Sequence, residues 1–123
     1  MGQVLGGCIV EGFIARGGMG ELYKARKINL GCDVALKILL PDLVAQESIL
    51  SRFLREAQVA ASLSHPSIVK VYDVGEEDGL YFIVMEFVRG RDLRDILNKD
   101  GPLGTSQALR ITRQIADALD YAH

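Results

Sequence analysis

Apolar residues form short blocks through the first third of the chain and then switch to a helical period near its middle. Cys8 to Ala15 is largely apolar and ends at a cluster of glycines, which reads as a strand and a turn. Glu21 to Ile28 has strand length and weak alternation. Asn29, Gly31 and Asp33 then mark a turn before Val34-Ala35-Leu36-Lys37-Ile38-Leu39-Leu40, a strand ended by Pro41. From Glu47 to Ser62, Ile49, Phe53, Ala57 and Ala60 recur at spacings of three and four, with Leu50, Leu54 and Ala61 widening the stripe, so this segment is an amphipathic helix. Ile68 to Val74 and Leu80 to Val88 are two more strands, joined by the solvated hairpin loop Gly75-Glu76-Glu77-Asp78-Gly79. Asp92 caps a short helix with Leu93, Ile96 and Leu97 on one face, stopped by Gly101-Pro102. A longer helix, capped near Thr105 or Ser106, carries Ala108, Ile111, Ile115, Leu119 and Ala122 on its apolar side.

The chain has 123 residues, 49% of them hydrophobic, enough for one packed domain. Its 14 basic and 16 acidic residues are interspersed and sum to a net charge of -2, a pattern that recruits neither nucleic acid nor an anionic membrane. Cys8 and Cys32 lie in separate segments without C-x-x-C spacing, which points to two buried free thiols in a reducing, cytoplasmic setting. No apolar run approaches the ~18 residues of a membrane span. The opening Met1-Gly2-Gln3-Val4-Leu5-Gly6-Gly7 has neither the charged region nor the long apolar core of a secretion signal, and Gly6 stands where a myristoylation motif wants Ser or Thr.

Two charges interrupt this patterning. Alternation places Lys37 on one strand face with Ala35 and Leu39, and Glu56 falls three residues after Phe53 and four before Ala60, on or beside the helix's apolar stripe. An unpaired buried charge costs several kcal/mol, so the two are expected to meet each other or a charged ligand. The competing reading is that both snorkel to water at the edges of their elements.

A third feature bears on that choice. Ile14-Ala15-Arg16-Gly17-Gly18-Met19-Gly20 is a glycine-dense turn between two strands, where backbone N–H groups can approach a phosphate. A dinucleotide fingerprint would open a helix at the last glycine, yet Glu21 onward leads towards a further strand, and no G-x-x-x-x-G-K-[ST] is present. Five stretches in order, Gly17 to Ala25, Val34-Ala35-Leu36-Lys37, Arg52 to Ala57, His65 to Val69 and Ile83 to Gly90, resemble the bacterial type of eukaryotic-like serine/threonine protein kinase over essentially the whole chain.

The resemblance implies an α+β fold: a five-stranded antiparallel sheet with the αC helix as N-lobe and hinge over about residues 8–88, then the αD and αE helices of an incomplete C-lobe over 89–123. It implies the ATP-binding portion of an enzyme that phosphorylates Ser or Thr of protein substrates. The alternative is a non-catalytic nucleotide-binding or interaction module built from the same lobe. The implied catalytic residues are Lys37, on the α- and β-phosphates, and Glu56, which orients it. Ile14, Ala15, Gly17, Gly18, Met19 and Gly20 belong to the loop over the phosphates. Leu22 and Ala35 lie above the adenine, Met85 at the back, the segment from Glu86 to Val88 in the hinge and Asp92 near the ribose; for Leu22, Ala35 and Met85, plain core packing fits the chemistry equally well. His65 is expected to shape a turn and His123 to end the last helix. Ala15 replaces the loop's first family glycine, which stiffens the loop and weakens its grip. Mg²⁺ is expected with ATP in a complete domain. Its protein ligands are absent here, since neither H-R-D-x-x-x-x-N nor D-F-G occurs between Met1 and His123, and the chain alone is expected to be inactive.

Overall fold

The computed structural model describes the backbone of residues 2–18, 20–44 and 46–123, and the side chains of all of these except Leu43 and Val44. Among the described residues six strands form one antiparallel sheet: β1 (Val4–Leu5), β2 (Cys8–Arg16), β3 (Gly20–Lys27), β4 (Cys32–Leu39), β5 (Val71–Glu77) and β6 (Leu80–Glu86). Their spatial order is β1-β2-β3-β4-β6-β5. The helices are α1 (Pro41–Val44), α2 (Glu47–Ser62), α3 (Leu93–Asp100) and α4 (Thr105–Ala122). The expected sheet is therefore present, with the two-residue β1 added at its edge.

Alternation along β4 sorts its side chains into two clusters. Val34 and Leu36 face one side, packing with Cys8, Val10, Ala25, Phe82 and Val84, while Leu39 faces the other with Ile83 and the α2 residues Phe53 and Ala57. Helix α2 thus seals the face that also carries Lys37. Burying a large side chain such as Phe53 or Leu39 stabilises the fold by roughly 1.5–3 kcal/mol each, which is what holds α2 on the sheet.

Three local readings change. The acidic stretch after Val74 is not all loop: β5 runs through Glu77 and only Asp78-Gly79 turns, with Asp78 at φ 51 and Gly79 at φ 82. Gly75 makes this possible, because Phe82 packs over it where a Cβ would fall 2.8 Å from the ring. Helix α4 is capped by Gly104 with no side-chain hydrogen bond, not by Thr105 or Ser106. Cys8 is buried as expected, but Cys32, at the first position of β4, is exposed. Asp92 does cap α3, accepting from the Asp95 N–H at 2.8 Å, and Gly101 at φ 80 closes that helix.

Helix α4 is held lightly. Ala118 is buried, whereas Leu109, Ile115 and Leu119 are exposed. The Tyr121 hydroxyl accepts from the Ser64 N–H at 2.9 Å, and its ring lies 5.3 Å from that of His65, tying α4 to the segment between α2 and β5.

Candidate functional site

Lys37 is half-buried on β4, opposite Leu22 of β3 and Ile83 of β6. Its side chain lines a cavity of about 580 Å³ together with Ala15, Arg16, Gly17, Gly18 and Gly20, and with Glu21, Leu22, Arg52 and Met85. Arg16 ends β2 and Gly20 opens β3, so the glycine turn forms one wall of this chamber; Gly17 N–H donates to the Gly20 carbonyl at 2.8 Å and tightens it. A Cβ on Gly20 would sit 2.3 Å from the Ile38 carbonyl oxygen, so only glycine lets β3 start this close to β4. A Cβ on Gly18 would face open space, and one on Gly17 would meet only the Gly20 carbonyl oxygen, at 3.9 Å. Ala15 has no left-handed backbone, so its methyl is accommodated without strain. Met19 lies outside the described residues.

A second cavity, of about 530 Å³, adjoins the first through shared walls at Leu22 and Met85. It is mostly apolar, lined by Ile14, Leu22, Ala35, Val69 and Met85, and floored by the segment from Glu86 to Gly90. The Glu86 N–H is taken by the Lys70 carbonyl at 2.8 Å, but the Val88 N–H has no hydrogen-bond partner among the described residues. The arrangement is an apolar slot with a free backbone donor at one end, opening into a glycine-walled chamber with a lysine and two arginines at the other.

Glu56 is not at this site. It is exposed, and its carboxylate meets Arg52 Nε at 3.3 Å; among the described residues no ion pair involves Lys37. The reason is angular. At about 100° per residue, the buried stripe of α2 centres between Phe53 and Ala57, and Glu56 falls near 80° from that centre, on the flank beside Arg52. Lys37 avoids the cost of an unpaired buried charge because it faces an open chamber. Asp92 lines neither cavity, and its carboxylate is engaged in capping α3. His65 accepts the Ser67 N–H on Nδ1 at 3.0 Å, a turn-forming role, and His123 ends α4.

Sequence reasoning missed Arg16, Glu21, Arg52, Val69, Arg89 and Gly90 as cleft residues. Arg16 carried a visible signal, a cation inside a glycine turn. Arg52 lies one helical turn before Glu56, and only the packing of α2 shows that it is the one facing the chamber. No group of three or more His, Cys, Asp or Glu able to hold a metal ion occurs among the described residues, and none of the described helices is long and apolar enough to cross a membrane.

Comparison with known proteins agrees with this geometry. Residues 9–123 match the model of the protein kinase domain family. The chain is 47% identical over 110 residues to serine/threonine-protein kinase PrkC of Bacillus subtilis, covering 89% of this chain and 17% of that protein. It is 50% identical over 111 residues to serine/threonine-protein kinase PknB of Mycobacterium leprae, covering 87% and 18% respectively. The crystal structure of the PknI kinase domain of Mycobacterium tuberculosis superposes with a TM-score of 0.85 at 37% identity, over 99% of this chain and 49% of that one. The chain thus spans about half of that solved domain and less than a fifth of the length of these relatives. Matched in family model, in sequence and in fold, it belongs to the protein kinase domain family, among bacterial serine/threonine-protein kinases.

Proposed function

We propose that the two joined cavities bind ATP for a serine/threonine protein kinase, adenine in the apolar slot and phosphates in the chamber. The observation that carries this reading is the continuity of the two at Leu22 and Met85: a flat apolar ring fits between Ala35, Leu22 and Met85, and the chain of charge attached to it then meets Lys37. Ile14 closes the slot from the loop side. The unpartnered Val88 N–H and the backbone at Glu86 offer the adenine edge its hydrogen bonds, and Asp92 lies next along the chain on the ribose side. Gly17, Gly18 and Gly20 leave the loop backbone accessible to phosphate oxygens. Arg16 and Arg52 add positive field to that of Lys37.

In the nucleotide-bound state Glu56 leaves Arg52 and orients Lys37. Mg²⁺ bound with the nucleotide would neutralise part of the charge on its phosphates. The carboxylates that hold the metal and accept the substrate proton in this family are not among residues 1–123, so this stretch binds ATP without completing transfer to a protein. We place the N-lobe and hinge at about 8–88 and the start of the C-lobe at 89–123, and the whole in the cytoplasm, where the free thiols Cys8 and Cys32 stay reduced.

Titrating the chain with a fluorescent ATP analogue tests the reading. Saturable binding that Lys37→Met weakens by roughly ten-fold or more is the expected result, the scale of one lost charge-assisted phosphate contact. Equal affinity of wild type and Lys37→Met refutes it.

A further inference from the structure

The outer end of the cleft carries a charge network that the phosphate site does not use. Lys37, Ala35 and Asp33 alternate along β4 and share one face of the sheet. The first two line the cavities, and Asp33 is the next row outward. On the neighbouring strand Lys24 pairs directly with Ala35. Lys24 Nζ lies 2.9 Å from Glu11 Oε1 and 3.6 Å from Asp33 Oδ1, and Arg89, beyond β6, reaches the other Asp33 oxygen. The Phe87 ring lies under both cations, 5.7 Å from Lys24 Nζ and 5.2 Å from the Arg89 guanidinium carbon. The hydrogen bond to Glu11, above all, holds the Lys24 ammonium above its usual range; partial burial opposes this and Asp33 adds to it.

What this network touches has few other restraints: at the far end of segment 87–91, Arg91 Nη2 donates to Asp100 Oδ2 at 2.8 Å. Beyond the β4–β6 ladder, which ends at the pairing of Val34 with Glu86, the segment makes no backbone hydrogen bond among the described residues, and Gly90 has φ 134. An isolated, exposed ion pair is weak. Here, however, Asp33 neutralises two cations that flank one ring, and no backbone ladder duplicates its hold.

We propose that Asp33 is a positioning residue that fixes the hinge: by gripping Lys24 and Arg89 around Phe87 it clamps residues 87–90 to the sheet and sets the width of the apolar slot. This rests on the ATP-binding reading for its consequence, not for its mechanics. Without Asp33, Lys24 and Arg89 repel each other across the ring, and the segment bearing the Val88 N–H is released.

The test uses the 123-residue chain as wild type, Asp33→Asn and Asp33→Glu, with two probes, adenosine and inorganic tripolyphosphate. Hydrogen exchange without nucleotide reads the clamp directly. Asp33→Asn is expected to speed exchange at residues 87–90 by roughly three- to ten-fold, the scale of a small charge network, with α2 and β4 unchanged and Asp33→Glu restoring protection. Adenosine affinity is expected to fall by a similar factor while tripolyphosphate affinity stays constant. Unchanged exchange at 87–90 overturns the proposal, as does an equal loss for both probes, which would mark general destabilisation. If the wild type binds neither probe, the ATP reading fails, and the exchange data still decide whether Asp33 holds the hinge.

Discussion

Arg52 Nε lies 3.3 Å from Glu56 Oε1, one turn away on α2, and this pairing points the helix carboxylate along the helix and not at Lys37. Both side chains are largely exposed, at 70% and 58%. Magnitude separates this arrangement from a buried pair.

Glu56→Gln in the nucleotide-free chain is expected to lower stability by about 0.5 kcal/mol or less, the usual size of an exposed i,i+4 pair. Breaking a buried pair with Lys37 would cost about 3–5 kcal/mol. Urea denaturation distinguishes the two, and a loss above 2 kcal/mol would sink the exposed assignment.

The glycine turn yields a contrast within three residues. Gly20→Ala places a methyl against the Ile38 carbonyl and is expected to cost about 1–3 kcal/mol by prising β3 from β4. Gly18→Ala meets nothing within 4 Å and should leave the melting temperature unchanged, altering nucleotide affinity alone. Thermal melts of both variants, followed by titration, check the pair.

Tyr121→Phe removes the acceptor of the Ser64 N–H. The expected loss is about 0.5–1.5 kcal/mol, concentrated in α4 because that helix has so little else buried. Hydrogen exchange should show residues 105–122 opening faster while the sheet stays protected; an even loss across the chain would contradict the localised role.

The two thiols are expected to differ in reactivity. Cys8 is fully buried, and burial raises its pKa above the ordinary range, with Lys27 opposing; Cys32 is exposed. At pH 8 iodoacetamide should label Cys32 alone in the folded chain and both after denaturation. Because the folded pKa of Cys8 is raised, its contribution to stability is complete below about pH 8.5, the unfolded thiol's value, and is lost as pH climbs through the folded value. Tyr23, raised mainly by burial and next by Glu21, acts in the same direction at higher pH. Melting temperature should therefore decline with alkalinity, and Cys8→Ala should remove the earliest part of the decline.

Helix α2 was legible to both ends because its period differs from that of the strands around it. Strand β1 was not, since Val4 and Leu5 are too few to alternate. The acidic run after Val74 looked like loop because charge outweighs pattern there, whereas ladder pairing with β6 and the fit of Phe82 over Gly75 decide its structure. In the cleft, the glycine turn and Lys37 stood out by motif and alternation, whereas Leu22, Ala35 and Met85 were picked out by the kinase resemblance alone. The flank position of Glu56 was not legible, because a stripe drawn from spacing alone does not distinguish its centre from its flank. Phe87 and Arg89 follow Glu86 outside any periodic element, and only tertiary packing brings them over Asp33 and Lys24.

Phe82 lies beneath Gly6 as well as Gly75, and the Gly6 N–H donates to Glu77 Oε2 at 2.7 Å. The short β1 thereby carries one margin of the sheet round to β5 at the other. Unpaired strand margins invite foreign strands to add to them. Here β1 pairs the start of β2, so that stretch of margin offers no template for cross-chain zippering. A nick or deletion at residues 2–7 would uncover the start of β2 and strip the packing from Phe82, opening the sheet to edge-on aggregation.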